Sequence, residues 1–202
     1  MELIVATKNK KKFQEIRELL KDTDLKVTSL LDHPEKVRIV ENGKTFKQNA
    51  VKKAVKIASA FKTLTLGEDS GICIDALGGK PGVYSSRFSG KNKSDAANNA
   101  KVLKLLADKP KSERGAHYTC AVAIADAHGV VGVVEGKCCG VIGNTLKGSH
   151  GFGYDPLFII PKYKRTFAEL GPRIKHKMSH RFRALNKAKK IIQKYIVERA
   201  AS

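Results

Sequence analysis

The chain has 202 residues and a formal net charge of +20 at pH 7, from 39 lysines and arginines against 19 aspartates and glutamates. A hydrophobic share of 42% and a charged share of 29% exclude a fully disordered chain. They suit one globular domain, or two small lobes sharing a core, burying roughly 70% of the unfolded surface. No apolar run reaches the roughly 18 residues of a membrane span, and MELIVATKNKKK carries its charges after its apolar stretch, the reverse of a secretory signal.

Leu3-Ile4-Val5-Ala6 reads as a short buried strand, Thr7-Lys8-Asn9 as a polar turn, and Phe13, Ile16, Leu19 and Leu20 space a helix over about 10–20. A second strand is expected over 25–29. The polar stretch 32–44, with Pro34 and Gly43, reads as a surface excursion. Thr45 and Gln48 form a capping box for a helix whose inner side is expected to carry Ala50, Val51, Ala54, Val55, Ala58 and Phe61. Two strand segments, 64–66 and 72–74, are expected on either side of an acidic turn, Gly67-Glu68-Asp69-Ser70-Gly71. A glycine-rich loop (77–82) and a helix over 94–106 follow. Residues 118–125 and 130–135 read as antiparallel strands across the turn 126–129, with 136–142 as a third. Phe158-Ile159-Ile160 is a short strand, and an amphipathic helix fills about 180–197.

This order predicts an α/β fold with a mixed β-sheet shared by two α/β lobes, because the central ribbon has no crossover helix. A central active-site cleft is expected between such lobes. The four cysteines lack metal-ligand spacing, and adjacent Cys138 and Cys139 point to opposite faces of a strand, so reduced thiols are expected.

Four groups of residues offer chemistry. Thr7, Lys8, Asn9, Lys10, Lys11 and Lys12 connect a strand to a helix, where free amides and the helix dipole suit a phosphate; the alternative is a solvated lysine-rich turn. The Walker pattern is absent. Glu41, Glu68 and Asp69 are either ligands for a hard cation such as Mg2+ or capping groups, with Asp69-Ser70-Gly71 also readable as an Asx-turn. Glycines interleaved with Phe152 and Tyr154, through Gly153 to Asp155, make a tight loop suited to a flat ring, unless the aromatics are core. Lys175 and Ser179-His180-Arg181, near the start of the last helix, complete the set. The region 162–199 is dense in Lys and Arg with only Glu169 and Glu198 as acids, which fits either polyanion binding or a solvated face.

Taken in order, these segments resemble the Ham1-like inosine triphosphate pyrophosphatases. The shared pattern is Thr7-x-Asn9-x-x-Lys12, Gly43-x-Thr45-Phe46-x-x-Asn49-Ala50, Glu68-Asp69-Ser70-Gly71, Ala76-Leu77-Gly78-Gly79-x-Pro81-Gly82, Ser85-x-Arg87, Phe152-Gly153-Tyr154-Asp155-Pro156 and Ser179-His180-Arg181. The resemblance implies an elongated mixed sheet in a single domain over 1–202. It also implies a homodimer, in a chain whose expected reduced thiols already point to the cytoplasm, and Mg2+-dependent hydrolysis of ITP, dITP and XTP to the monophosphate and pyrophosphate. By the same resemblance, residues 7–12 cradle the triphosphate and Glu41 and Asp69 hold magnesium with Glu68 beside them. Asp69 is then the base and Ser70 touches substrate. Lys53 and Lys175 face phosphates, Phe152 to Asp155 hold the nucleoside, and His180 and Arg181 read the purine edge.

Glu68 stands where many relatives carry aspartate, and Gln48 where many carry glutamate. A same-fold pyrophosphatase for another modified nucleotide and a basic nucleic-acid-binding protein are the competing readings. The second leaves the acidic pair beside a glycine-rich loop unexplained. Neither a membrane nor nucleic acid is the expected partner.

Overall fold

The computed structural model describes residues 1–33, 35, 37–90 and 94–200; Pro34, expected in a surface excursion, lies outside them. Seven strands form one mixed sheet: β1 (Glu2–Val5), β2 (Lys26–Ser29), β3 (Thr65–Ile74), β4 (Gly115–Asp126), β5 (Gly129–Ile142), β6 (Phe158–Ile160) and β7 (Arg165–Thr166). Their spatial order is β2-β1-β3-β4-β5-β6-β7. β1 pairs in parallel with β2 and β3, whereas β5–β6 and β6–β7 are antiparallel. The helices are α1 (Lys10–Leu19), α2 (Phe46–Phe61), α3 (Asp95–Leu105), α4 (Phe167–Met178) and α5 (His180–Ala200). The expected mixed α/β class is present.

The chain divides into two compact units, one of Met1–Asp69, Cys120–Gly136 and Arg181–Ser202, the other of Ser70–Thr119 and Lys137–His180. In the first, β1 is buried on both faces from Leu3 to Val5, which is why those three residues are all apolar. Leu3 and Val5 pack with Ile16, Leu185 and Ile192 of α1 and α5, while Ile4 and Ala6 pack with Ile57 of α2. In the second, Ile72, Ile74, Val102, Leu106, Tyr118, Phe158 and Phe167 form the core.

Several expectations need correction. Residues 67–71 are not a turn: β3 runs unbroken through them, and the glycines serve close packing. A Cβ on Gly67 would lie 2.1 Å from Ala50 O, and one on Gly71 would lie 2.3 Å from Ser85 Oγ. The Asx-turn reading of Asp69 falls with the turn. Residues 130–142 form one strand, β5, rather than two. Its burial alternates at the end, with Cys138 buried and Cys139 exposed, and no cysteine among the described residues is in a disulfide. Lys175 belongs to α4, a separate helix that the pattern of residues hides because non-helical Gly171 and then Pro172 interrupt it.

The Thr45–Gln48 capping box opens α2 as expected, with the Thr45 hydroxyl accepting from Gln48 N at 3.2 Å. The helix's inner face is turned from the expected one. Asn49 and Lys53 are buried, while Val51 and Val55 are only half-buried. That rotation places two polar side chains, one helical turn apart, on the face that meets β3.

Candidate active site

Consecutive residues of a strand point to opposite faces of the sheet, so β3 sends Glu68 and Asp69 in different directions. On one face, Asp69 Oδ2 accepts a hydrogen bond from Asn49 Nδ2 at 3.0 Å, and Lys53 Nζ lies 3.4 Å from Asp69 Oδ1. Lys53 Nζ also donates to Glu41 Oε2 at 2.6 Å. Asn49 Oδ1 accepts from Gly43 N at 2.8 Å, so the amide is held at both ends. Burial pushes the Asp69 carboxyl above its ordinary range, and the positive charges of Lys53 and Lys12 and the Asn49 hydrogen bond only partly offset it. Lys53 is pulled down by burial, but the Asp69 and Glu41 carboxylates outweigh this and hold its ammonium above the usual value.

On the other face, Glu68 accepts from Lys12 Nζ at 2.9 Å and from Arg181 Nη2 at 3.1 Å, with Cys120 Sγ at 3.4 Å. Arg181 is itself fully buried, and its Nη1 donates to Glu15 of α1. Burial opposes its charge, yet Glu68 and Glu15 hold the guanidinium protonated well beyond its ordinary range. Burial pushes the Cys120 thiol up, and the Glu68 charge adds to it.

The phosphate-loop candidates begin where β1 ends. Asn9 caps α1 by accepting from Lys12 N at 3.1 Å, and Thr7 Oγ1 accepts from Asn9 N at the same distance. Lys8, Lys10 and Lys11 are exposed, whereas Lys12 is half-buried against Glu68. The loop is thus an ordered strand-to-helix connection that carries three exposed cations, Lys8, Lys10 and Lys11.

In the second unit, Asp155 organises the loop that contains Phe152 and Gly153. Its Oδ2 accepts from Phe152 N at 2.9 Å and from Lys175 Nζ at 2.7 Å. Lys175 Nζ also sits 4.9 Å from the centroid of the Phe152 ring. Gly151 must be glycine, since φ is +80° and a Cβ there would lie 2.0 Å from Asp155 Oδ2. Tyr154 is core: it is buried, its hydroxyl donates to Ser85 O at 2.7 Å, and burial raises its phenol well above the usual value. Phe152 stays half-buried and Ser70 partly exposed. His180 is buried and stacks on Tyr118, ring centroids 4.5 Å apart and planes 7° from parallel.

The structure therefore brings together Glu41, Lys53 and Asp69; Lys12, Glu68 and Arg181; and Phe152, Asp155 and Lys175. It does not bring Glu68 to the Glu41–Asp69 pair. Among the described residues, no three His, Cys, Asp or Glu side chains gather as a metal cluster. That donor set still fits magnesium, which usually takes only one or two carboxylates and completes its shell with water and phosphate oxygens. Sequence reasoning missed Asn49 and Glu15 as members of the site, and Asp95 and Asn99 as partners of Gly153. Asn49 was detectable, one turn before Lys53 in the same helix; Glu15, one of two acids among the charged residues of α1, gave no signal.

The Ham1 family model matches residues 3–191. The chain is 48% identical over 197 residues to a dITP/XTP pyrophosphatase of Desulforamulus reducens, covering 98% of each protein. A dITP/XTP pyrophosphatase of Shouchella clausii is 46% identical over 192 residues, covering 95% of this chain and 96% of that one. Among solved structures, the Staphylococcus aureus Ham1 protein superposes with a TM-score of 0.86 at 32% identity, covering 96% of this chain and 100% of that one. A nucleoside-triphosphatase / dITP/XTP pyrophosphatase from Mycobacterium abscessus gives a TM-score of 0.75 at 39% identity, over 93% of this chain and 97% of its own. With a match reaching from β1 into α5 and the paired carboxylates on β3, this chain is a member of the Ham1 family.

Proposed function

We propose that the protein hydrolyses non-canonical purine nucleoside triphosphates (ITP, dITP and XTP) to the nucleoside monophosphate and pyrophosphate. The observation that carries this reading is the Asp69 group: a buried carboxylate of raised pKa, fixed by Asn49 and beside Lys53. The names of its relatives, dITP/XTP pyrophosphatases at 48% and 46% identity, supply the substrate class. The match over 3–191 supports treating 1–202 as one catalytic domain.

In this reading Asp69 takes the proton from a water molecule as its oxygen bonds to the α-phosphorus, and pyrophosphate departs with the bridging oxygen. A base of raised pKa accepts that proton more readily than an ordinary aspartate. Residues 7–12 bind the phosphate oxygens, with Lys8, Lys10 and Lys11 exposed and Lys12 and Lys53 balancing charge near the carboxylates. Glu41 and Asp69 would hold the magnesium ion; Glu68 is left out because its carboxylate is engaged with Lys12 and Arg181. The ion, when bound, neutralises phosphate charge. The ring of Phe152 stacks on the base, Ser70 contacts substrate, and Lys175 and Asp155 support the loop. His180 and Arg181 donate to a purine 6-oxo group, where adenine's 6-amino group would set donor against donor at a cost of about 2–5 kcal/mol.

We further propose a homodimer working in the cytoplasm. Cysteines without a disulfide among the described residues suit a reducing compartment, and no helix among those residues is long and apolar enough to cross a membrane. The deciding assay presents a panel of nucleotides with magnesium. ITP or dITP is expected to yield IMP or dIMP with pyrophosphate. Release of orthophosphate and a diphosphate would overturn the cleavage position, and turnover confined to a modified pyrimidine triphosphate would overturn the substrate class.

A further inference from the structure

The loop read above as the nucleoside segment is held by a helix that none of its own motif residues belongs to. Gly153 sits at φ +65°, and both polar groups of its backbone are taken by α3. Its N–H donates to Asp95 Oδ2 at 2.8 Å, and its carbonyl accepts from Asn99 Nδ2 at 2.9 Å. Asp95 and Asn99 are one helical turn apart, which is the spacing that lets two side chains of one face grip the same residue. Asn99 Nδ2 also donates to Asp95 O at 2.9 Å, so two carbonyls fix the orientation of the amide.

That orientation leaves Asn99 Oδ1 buried with no hydrogen-bond partner among the described residues. An orphaned buried acceptor opposes folding. A residue whose only task were stability would be better replaced by a small apolar one. Asn99 is therefore explained by what its donor holds rather than by the packing it provides. Its neighbour Asn98 extends the grip: Asn98 Nδ2 donates to Ser86 O at 3.4 Å, and the adjacent Ser85 O takes the Tyr154 hydroxyl at 2.7 Å. Gly153 and Tyr154 are thus tied on successive residues, and the N–H of Phe152, next before them, is held by Asp155.

We propose that Asp95 and Asn99 are positioning residues for nucleoside binding, clamping the main chain of Gly153 so that the Phe152 ring is presented in one orientation. Neither residue touches the substrate in this scheme. The inference rests on Phe152–Asp155 being the nucleoside segment, so the test must separate its failure from the failure of that reading.

The experiment measures kcat and KM for ITP, and inhibition by inorganic tripolyphosphate, which has the charge of the substrate's tail but no nucleoside. Asn99→Ala and Asp95→Ala are each expected to raise the KM for ITP by roughly 3- to 10-fold, the loss of about one hydrogen bond, with kcat within about twofold. Tripolyphosphate inhibition should be unchanged in both. Asp95→Asn keeps an acceptor for Gly153 N–H and should restore a KM within about twofold of the parent. Phe152→Ala is the control for the reading beneath: it should raise the KM for ITP more than either clamp variant and also spare tripolyphosphate. If Phe152→Ala leaves KM unchanged, the nucleoside assignment fails and takes the clamp with it. If Phe152→Ala behaves as expected while both alanine variants keep the parent KM, or weaken tripolyphosphate as much as ITP, the clamp alone is overturned. Asp95 is exposed, so Asp95→Ala tests the clamp even where Asn99→Ala lowers the melting temperature.

Discussion

The two units of the chain build their functional groups by opposite means. In the first, side-chain charge does the work: Lys12, Glu41, Lys53, Glu68, Asp69, Glu15 and Arg181 come from strands, helices and one connecting stretch, and most are buried. In the second, the main chain of a glycine-interleaved loop is pinned by Asp155, Asp95 and Asn99, and the Lys175–Asp155 pair is the chief charged contact. A group that must move a proton gains from a carboxylate whose pKa burial and neighbours set. A group that must only present a ring gains from a backbone with nothing left to satisfy. The first is therefore sensitive to charge, the second to geometry.

The largest effect expected from that contrast is at Asp69. Asp69→Asn keeps the shape and removes the base, so kcat should fall by roughly 100-fold or more with the melting temperature nearly unchanged. Activity within threefold of the parent, in a normally folded variant, would remove Asp69 from the reaction.

Arg181 comes next because it has claims in both categories. Arg181→Ala strips a buried cation from Glu15 and Glu68, so stability should fall by about 3 kcal/mol. If the guanidinium also reads the 6-oxo group, the ratio of kcat/KM for ITP over ATP should collapse by roughly 30-fold. We expect both losses. A ratio equal to the parent's, measured on the same sample, would confine Arg181 to supporting Glu68.

Lysines sharpen the comparison further. Lys53→Ala should cost roughly tenfold or more in kcat/KM, since it removes the cation between two carboxylates. Lys187→Glu combined with Lys190→Glu should stay within a few-fold at 0.15 M salt, because both are exposed and screening is strong beyond about 8 Å. Equal losses would mean that the basic surface of α5 takes part in binding.

The smallest effect is a shift in pH dependence. A base must be deprotonated, and Asp69 is raised above the ordinary aspartate value, so kcat/KM should fall on acidification at a higher pH than for an unperturbed aspartate. The Asn49 hydrogen bond lowers that pKa. Asn49→Ala should therefore move the acid limb upward. A limb that stays in place or moves down would show that another group sets it.

Much of this was readable from residue order alone. Apolar runs located β1 and β6, the Thr45–Gln48 box located α2, and the motif residues carried the family resemblance. The failures share one cause, which is tertiary context overriding local signals. Gly67 and Gly71 look like turn residues, yet each marks a backbone approach that only β3's neighbours define. Nothing in the local pattern marks Lys53 for burial, yet Glu41 and Asp69, from distant parts of the chain, make its burial tolerable. Asp95 and Asn99 belong to a helix with no motif of its own, and their purpose becomes visible only through the carbonyl and N–H of Gly153.

Gly67 also constrains what the gene can become. Any side chain there would overlap the carbonyl of Ala50 and crowd Ala54, prising β3 from α2 and carrying Asp69 away from Asn49 and Lys53. A deep mutational scan selecting for activity should score position 67 as one of the least tolerant sites, although glycine brings no side chain to the reaction. Its replacements should be rescued poorly by changes elsewhere, because Ala50 meets it through main-chain atoms that no substitution at 50 can shorten. Position 67 would then mark a boundary in sequence space: drift can proceed on the lysine-rich surface, but not where helix and strand share the space of a single hydrogen.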